Sequence, residues 1–234
     1  MISDKTYAVI PAFNEEHTVG SVVTSVKRTA KVDRVIVVDD GSGDSTARAA
    51  KAAGATVLSL PVNSGAARAT VIGLRYAISH GANRVVTLDA DGQHDPKDIP
   101  RLLSELTPGV NMVVGSRYLR PSAHTSSLAR RLGTSLISGL IFLRFGRHIA
   151  DPTSGYRVLD RKIAVWLAKI YPSAFLEPEL VSLLLQRRMT IREVAIQMRK
   201  RRFGVSSITP LKAVYLMVFI TVKILFGRWT GRRG

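Results

Sequence analysis

No cysteine occurs among the 234 residues. That excludes a disulfide framework, a thiolate metal site and cysteine catalysis, and it fits a reducing compartment. Aromatic residues make up only 6% of the chain, too few to interleave with cationic side chains as a nucleic-acid reader requires. The amino terminus, Met1-Ile2-Ser3-Asp4-Lys5, lacks the apolar stretch of a signal peptide. There is no Walker-A sequence and no Gly-x-Gly-x-x-Gly after the first apolar run, so a P-loop kinase and an NAD-dependent dehydrogenase fit poorly. Internal repeats and low-complexity tracts are also missing. What is present is a hydrophobic fraction of 46%, ordinary for a globular protein. A chain of this length hides about 70–75% of its unfolded surface.

Acidic residues are scarce in two stretches of the chain. Residues 1–116 hold 12 basic and 12 acidic groups, residues 117–157 hold 7 and 1, residues 158–185 hold 3 and 3, and residues 186–234 hold 12 and 1. The net charge of +17 therefore lies in two blocks behind a neutral first half. This split points to a polyanionic partner for the second half: nucleic acid, an anionic membrane or a phosphorylated substrate.

The first half alternates short β-branched runs with helical patterns. The runs are Tyr7 to Ile10, Arg34 to Val38, Thr56 to Leu60, Arg84 to Leu88 and Asn111 to Val114. Runs that are apolar at every position suit strands covered on both faces. Between them, Val19, Val22, Val23 and Val26 repeat at helical spacing behind Asn14 as N-cap. Residues 44–53 are alanine-rich and stop at Gly54, and Ile99, Leu102, Leu103 and Leu106 form a third stripe behind Asp95-Pro96. The pattern predicts an α/β fold with a mostly parallel, doubly wound sheet. Ligands of such sheets sit at the carboxyl ends of the strands. Asn14-Glu15, Asp39-Asp40, Asn63-Ser64-Gly65 and Asp89-Ala90-Asp91 all fall there.

Asp89-Ala90-Asp91-Gly92-Gln93 places two carboxylates and an amide at alternate positions. Oxygen ligands favour Mg²⁺ or Mn²⁺ over zinc, and such ions are held by one or two carboxylates plus substrate phosphate oxygens. Asp89, Asp91 and Gln93 are thus the candidate metal ligands, with a diphosphate as the implied substrate group. Ala90 and Gly92 leave the backbone room to approach a ligand. The five histidines are dispersed, and His94 reads as a solvated loop side chain.

The chain resembles the family 2 glycosyltransferases of the GT-A fold, most closely the dolichol-phosphate mannose synthase and polyprenyl-phosphate glucosyltransferase group. The resemblance is carried by Pro11-Ala12-Phe13-Asn14-Glu15-Glu16, Val38-Asp39-Asp40-Gly41-Ser42 with Asp44 and Thr46, Asn63-Ser64-Gly65, residues Asp89 to Pro96, Gly115-Ser116-Arg117-Tyr118 and residues Asp151 to Arg157. It runs from about residue 6 to 207 and implies a transferase acting on a nucleotide diphosphate sugar. It places Pro11, Phe13, Glu15 and Asp40 in the nucleoside pocket, and it assigns Arg117, Arg131 and Arg202 to the phosphate of a polyprenyl acceptor. Relatives often carry Lys after the Asn-x-Gly, where this chain has Ala66; Arg68 is the candidate replacement for that charge, next to Asn63.

The domain reading follows: residues 1–207 form the transferase domain, with 1–116 as the nucleotide-sugar half and 117–207 as the acceptor half. Residues 208–234 form a membrane-surface helix and a basic tail. Leu132 to Phe145 and Leu211 to Phe226 are apolar segments with basic flanks. At 14–16 residues they reach roughly 21–24 Å, short of the ~30 Å hydrocarbon core. Basic flanks on short apolar helices fit a helix lying in the lipid interface, at about 1 kcal/mol per charge near anionic lipid. This predicts a peripheral protein at the cytoplasmic face of a membrane.

Three activities compete at this stage. In the first, an inverting, metal-dependent enzyme moves a hexose from GDP-mannose or UDP-glucose to a polyprenyl phosphate. In the second, a sugar or alcohol hydroxyl is the acceptor; it needs a carboxylate base, with Asp151 the first candidate and Glu177 or Glu179 the next. In the third, the chain is a non-enzymatic basic module that binds a membrane or nucleic acid. The intact polar strand ends favour an enzyme, and the arginines favour a phosphate acceptor over nucleic acid.

Overall fold

The five apolar runs are strands in the computed structural model, which describes residues 4–119, 128–169, 177–199, 217 and 219–225. They are β1 (Thr6–Ala12), β2 (Arg34–Asp39), β3 (Thr56–Ser59), β4 (Arg84–Thr87) and β5 (Met112–Ser116). Two further strands, β6 (Arg157–Asp160) and β7 (Ile191–Ala195), complete a seven-stranded sheet of order β3-β2-β1-β4-β6-β5-β7. All pairings are parallel except those of β6, which runs antiparallel to both β4 and β5. The sheet is mostly parallel, as expected, and the reversed strand is an addition to that picture.

Residue alternation sorts the strands' side chains onto two layers. Tyr7, Val9, Ile36, Val38, Val85, Met112, Val114 and Leu159 face one side, under α3 (Ala66–Ser79), α5 (Leu128–Phe145), α6 (Arg161–Lys169) and α7 (Glu177–Gln186). Ala8, Ile10, Val35, Val37, Val86, Leu88, Val113 and Val158 face the other, under α1 (Val19–Thr29), α2 (Thr46–Ala52) and α4 (Ile99–Ser104). Each such valine or leucine contributes about 1.5–3 kcal/mol by leaving water. Gly73 lets α3 sit close on β1, because a Cβ there would stand 2.3 Å from Val9 Cγ1.

Helix α1 begins at Val19, with Thr18 and not Asn14 at its N-cap. Asn14 instead adopts a left-handed backbone, φ 53°, in the loop above. Asp95 does cap as anticipated, its side chain accepting the Lys97 N–H ahead of the turn Pro96–Asp98.

Helix α5 presents Thr134, Ile137, Ser138 and Ile141 to the core, an i, i+3, i+4, i+7 set. Its other face leaves Leu132, Leu136, Phe142 and Leu143 exposed, Leu143 at 77%. Residues 219–225 are helical, and Ile220 and Ile224 join the core that α5 and α7 line. Lys223 is not a lipid-facing charge here: its Nζ donates to the buried Glu179 carboxylate of α7 at 2.5 Å. No helix among the described residues is long and apolar enough to cross a membrane.

Candidate active site

The carboxyl end of the parallel strands is built from four loops that hold one another. After β1, the Asn14 N–H donates to Ser42 Oγ, and Asn14 Oδ1 accepts the Gly43 N–H at 2.9 Å. The Glu15 N–H donates to Thr46 Oγ1 and the Glu16 N–H to Asp44 Oδ2. The Glu16 carboxylate in turn accepts the Ser45 N–H at 2.9 Å. Asp44 is pulled two ways: burial raises its pKa, but the Thr46 hydroxyl and the backbone N–H bonds of Thr46 and Glu16 lower it further, leaving it below the usual value. After β2, Gly41 has φ +73°, and a Cβ there would lie 2.6 Å from the Val62 carbonyl carbon. Only glycine allows that contact between the loops after β2 and β3.

Asp40 is 2% exposed. Its carboxylate accepts the Ser64 N–H, the Ser64 hydroxyl and the Gly65 N–H, each at 2.8 Å. It therefore anchors the loop that opens α3. Pro11, Ala66, Ala67, Thr70, Asp89, Gly155 and Arg157 help line a cavity of about 80 Å³ under this edge. Phe13, Asn63 and Arg68 are exposed, and the Glu15 carboxylate accepts the Thr18 hydroxyl at 2.6 Å. Ala90 is 2% exposed with its methyl in the core beneath α1.

Asp89 follows β4 with its side chain half exposed. Asp91 Oδ1 accepts the Gln93 N–H at 3.0 Å, which folds the segment into a tight turn. Gln93 donates its amide N–H to the Arg199 carbonyl at 3.4 Å, so its oxygen is the atom that could serve a cation. Among the described residues no cluster of three His, Cys, Asp or Glu side chains could hold a metal alone. Two carboxylates and an amide oxygen, completed by substrate phosphate, suit the hard, partly hydrated Mg²⁺ or Mn²⁺. The donor set therefore fits the ion expected.

His94 departs from its expected place. It is 3% exposed, stacked on the buried Tyr156 ring with centroids 4.8 Å apart. Burial pushes its pKa down to about 4; Asp91 pulls it upward, Arg117 pushes it down and Asp151 pulls it upward again. The Tyr156 hydroxyl donates to the Asp95 carbonyl at 2.8 Å. The Arg199 N–H donates to the Gln93 carbonyl, and the Arg199 guanidinium meets Asp95 at 2.7 Å. The start of the basic run 199–202 thus lies against the loop that carries the acidic pair.

Arg117 stands at the end of β5. Asp151 grips it bidentately, Nε to Oδ2 at 2.6 Å and Nη2 to Oδ1 at 2.7 Å, and also accepts the Arg117 backbone N–H. Thr153 Oγ1 accepts a further bond from Nη2 at 2.6 Å. Burial alone would lower the Arg117 pKa, but the Asp151 hydrogen bonds and charge outweigh it, and the Tyr118 and Asp89 charges act in the same upward direction. Asp151 itself is fully buried, and Glu193 accepts the N–H groups of Ala150 and Asp151. A general base must reach the acceptor, and the buried Asp151 carboxylate is occupied by Arg117 and the Thr153 hydroxyl. Glu179, the later candidate, is bound to Lys223.

Arg131 is exposed on α5. Arg202 lies outside the described residues. The cluster formed by Asp89, Arg117, Asp151 and the 151–157 loop is closed by Gly155, where a Cβ would stand 3.5 Å from Asp89 Oδ1. Sequence reasoning missed His94 and Tyr156. Their signal was the aromatic residue just before β6 and the lone imidazole between two polar loop residues.

Comparison with known proteins agrees with this geometry. The model of glycosyl transferase family 2 matches residues 7–165. The chain is 28% identical over 228 residues to the UDP-N-acetylglucosamine–dolichyl-phosphate N-acetylglucosaminyltransferase of Methanococcus voltae, covering 89% of this chain and 85% of that one. It is 28% identical over 221 residues to the polyprenol monophosphomannose synthase of Mycolicibacterium smegmatis, covering 88% and 82%. Among solved structures, glucosyl-3-phosphoglycerate synthase of Mycobacterium tuberculosis, in complex with Mn²⁺, UDP and phosphoglyceric acid, superimposes with TM-score 0.71 at 26% identity, over 95% of this chain and 78% of that one. With its GT-A sheet and its acidic strand ends, the chain belongs to glycosyltransferase family 2 and is a glycosyltransferase.

Proposed function

We propose that the enzyme transfers a hexose, with inversion, from a nucleotide diphosphate sugar (GDP-mannose or UDP-glucose) to a polyprenyl phosphate. The observation that carries this reading is Arg117. Its Nε and Nη2 are fixed by Asp151 and Thr153, and its charge acts on Asp89. A guanidinium held so firmly beside the acidic loop suits an anionic acceptor. The names of the Methanococcus and Mycolicibacterium relatives support the acceptor class. The phosphoglyceric acid in the Mycobacterium complex is also a phosphate-bearing acid.

Asp89, Asp91 and Gln93 would hold Mg²⁺ or Mn²⁺, which supplies neutralisation of the leaving diphosphate when bound. Pro11, Phe13, Glu15, Asn63 and Arg68 border the nucleotide, with Asp40 holding the 63–65 loop in place. Arg117, with Arg131 and Arg202, receives the acceptor phosphate. A phosphate oxygen forms the bond to the anomeric carbon as the bond to the nucleoside diphosphate breaks on the opposite side. With a second pKa near ~6, a phosphate monoester is already anionic, so no carboxylate base is required. That matches the burial of Asp151. Alignment supplies the remaining acceleration.

We assign the exposed apolar face of α5 and the basic residues of the second half to a peripheral position on an anionic membrane surface, at its cytoplasmic face. The decisive experiment incubates a panel of nucleotide sugars with one short polyprenyl phosphate or the matching polyprenol, with and without EDTA. Metal-dependent product with the phosphate alone is expected; equal transfer to the polyprenol would sink the acceptor assignment.

A further inference from the structure

Asp89 is the first residue beyond the sheet's support. Strand β4 ends at Thr87, and the Leu88 N–H makes the last bond to β1, on Val9 O at 3.3 Å. The next N–H, that of Asp89, donates to Nδ1 of His94 at 3.2 Å. The imidazole takes over where the ladder stops. It is itself held from below by the Tyr156 ring, and Tyr156 also bonds to the carbonyl of the adjacent Asp95. An Nδ1 that accepts a hydrogen bond leaves the ring proton on Nε2 and the ring uncharged.

We infer that His94 is a positioning residue for the divalent cation: it fixes the backbone from which the Asp89 carboxylate projects, through one hydrogen bond to the Asp89 N–H. The inference rests on Asp89 being a metal ligand, as proposed above. It goes beyond that reading by naming a buried side chain outside the ligand set, whose contacts are with the Asp89 N–H and the Tyr156 ring. A purely space-filling role makes a different forecast, since phenylalanine would then serve as well as histidine on the Tyr156 ring.

The test titrates Mn²⁺ into the full chain by electron paramagnetic resonance, with GDP or UDP present. His94→Phe keeps the stack and loses the acceptor; it should weaken Mn²⁺ about 10-fold or more, the usual range for losing a partner of a metal ligand. His94→Asn keeps an acceptor at the Nδ1 position and should stay within about 3-fold of the parent. Parental affinity in His94→Phe overturns the inference, and so does an equal loss in both variants. Should His94→Phe fail to melt cooperatively, His94→Gln, whose oxygen lies one bond too far out, replaces it. Equal affinities for the Asn and Gln variants then overturn the inference. Failure of the unmutated protein to bind Mn²⁺ would refute the metal reading itself and remove this one with it.

Discussion

Single side chains carry most of the site's organisation, and the residue scale gives the sharpest forecasts. Asp151→Asn weakens the bidentate grip on Arg117 and leaves a buried guanidinium uncompensated. Breaking one partner of a buried pair costs about 3–5 kcal/mol, and the amide's retained oxygen places the expected loss at the lower end, about 3 kcal/mol. A shift in the urea midpoint measures it, and the KM for lipid phosphate should rise more than the KM for donor. His94 gives a pH forecast. Its folded pKa of about 4 lies below the ordinary 6.5, so the unfolded chain binds the extra proton between those values. Stability is full above pH ~6.5 and falls as pH drops towards ~4, by roughly 3 kcal/mol at ~1.4 kcal/mol per unit. Thermal melts between pH 4 and 7 should show a shallower fall in His94→Asn than in the parent. At this scale the sequence displayed the position of the acidic residues well, because polar residues that end an apolar β-branched run mark the carboxyl end of a strand. It hid the burial of His94, Asp40 and Asp151, because burial is decided by loops that meet only in the folded chain.

Elements set what faces solvent and what faces core. The strands β1 to β5 were legible because each is a β-branched run ended by a polar or breaker residue. Strand β6 offers only Val158 and Leu159 between charged residues, and β7 interposes Arg192 and Glu193 between its apolar positions. Neither resembles a strand buried on both faces; β6 owes its state to pairing with β4 and β5, and β7 to pairing with β5. Helix α3 carries an interior glycine that costs helix propensity, and the reason for it shows only when Val9 and Val38 are seen against Gly73. Gly73→Val should therefore destabilise by about 1–3 kcal/mol through overpacking, read from denaturant unfolding. Helix α5 is amphipathic in an unusual sense, with apolar residues on the outward face as well. Replacing Leu136 and Leu143, which are 54% and 77% exposed, by glutamate should abolish sedimentation with vesicles containing anionic lipid. Transfer to a short, soluble polyprenyl phosphate should persist. Unchanged sedimentation would remove the membrane assignment for this face.

At the level of the whole molecule, charge is partitioned. The donor-side half is neutral, and the excess of +17 resides beyond residue 116. Vesicle binding should weaken steeply between 50 mM and 500 mM salt, as screening shortens to a few ångströms. Donor binding should change far less. The C-terminal helical residues do not stand apart, since Ile220 and Ile224 belong to the core and Lys223 holds Glu179. Lys223→Met would remove one cationic partner from that buried carboxylate, and a loss of stability is expected in the thermal melt.

The reversed strand has a consequence for how the chain can be divided. Between β4 and β5 lies β6, so β5 has no neighbour within the first 116 residues: its partners are β6 and β7. A fragment ending at Ser116 would carry an orphan strand and bare the outer edge of β4. The donor-side portion is therefore a chemical unit without being an autonomous folding unit. An expressed 1–116 fragment should aggregate, while co-expression with the remainder should rescue solubility by re-knitting the sheet.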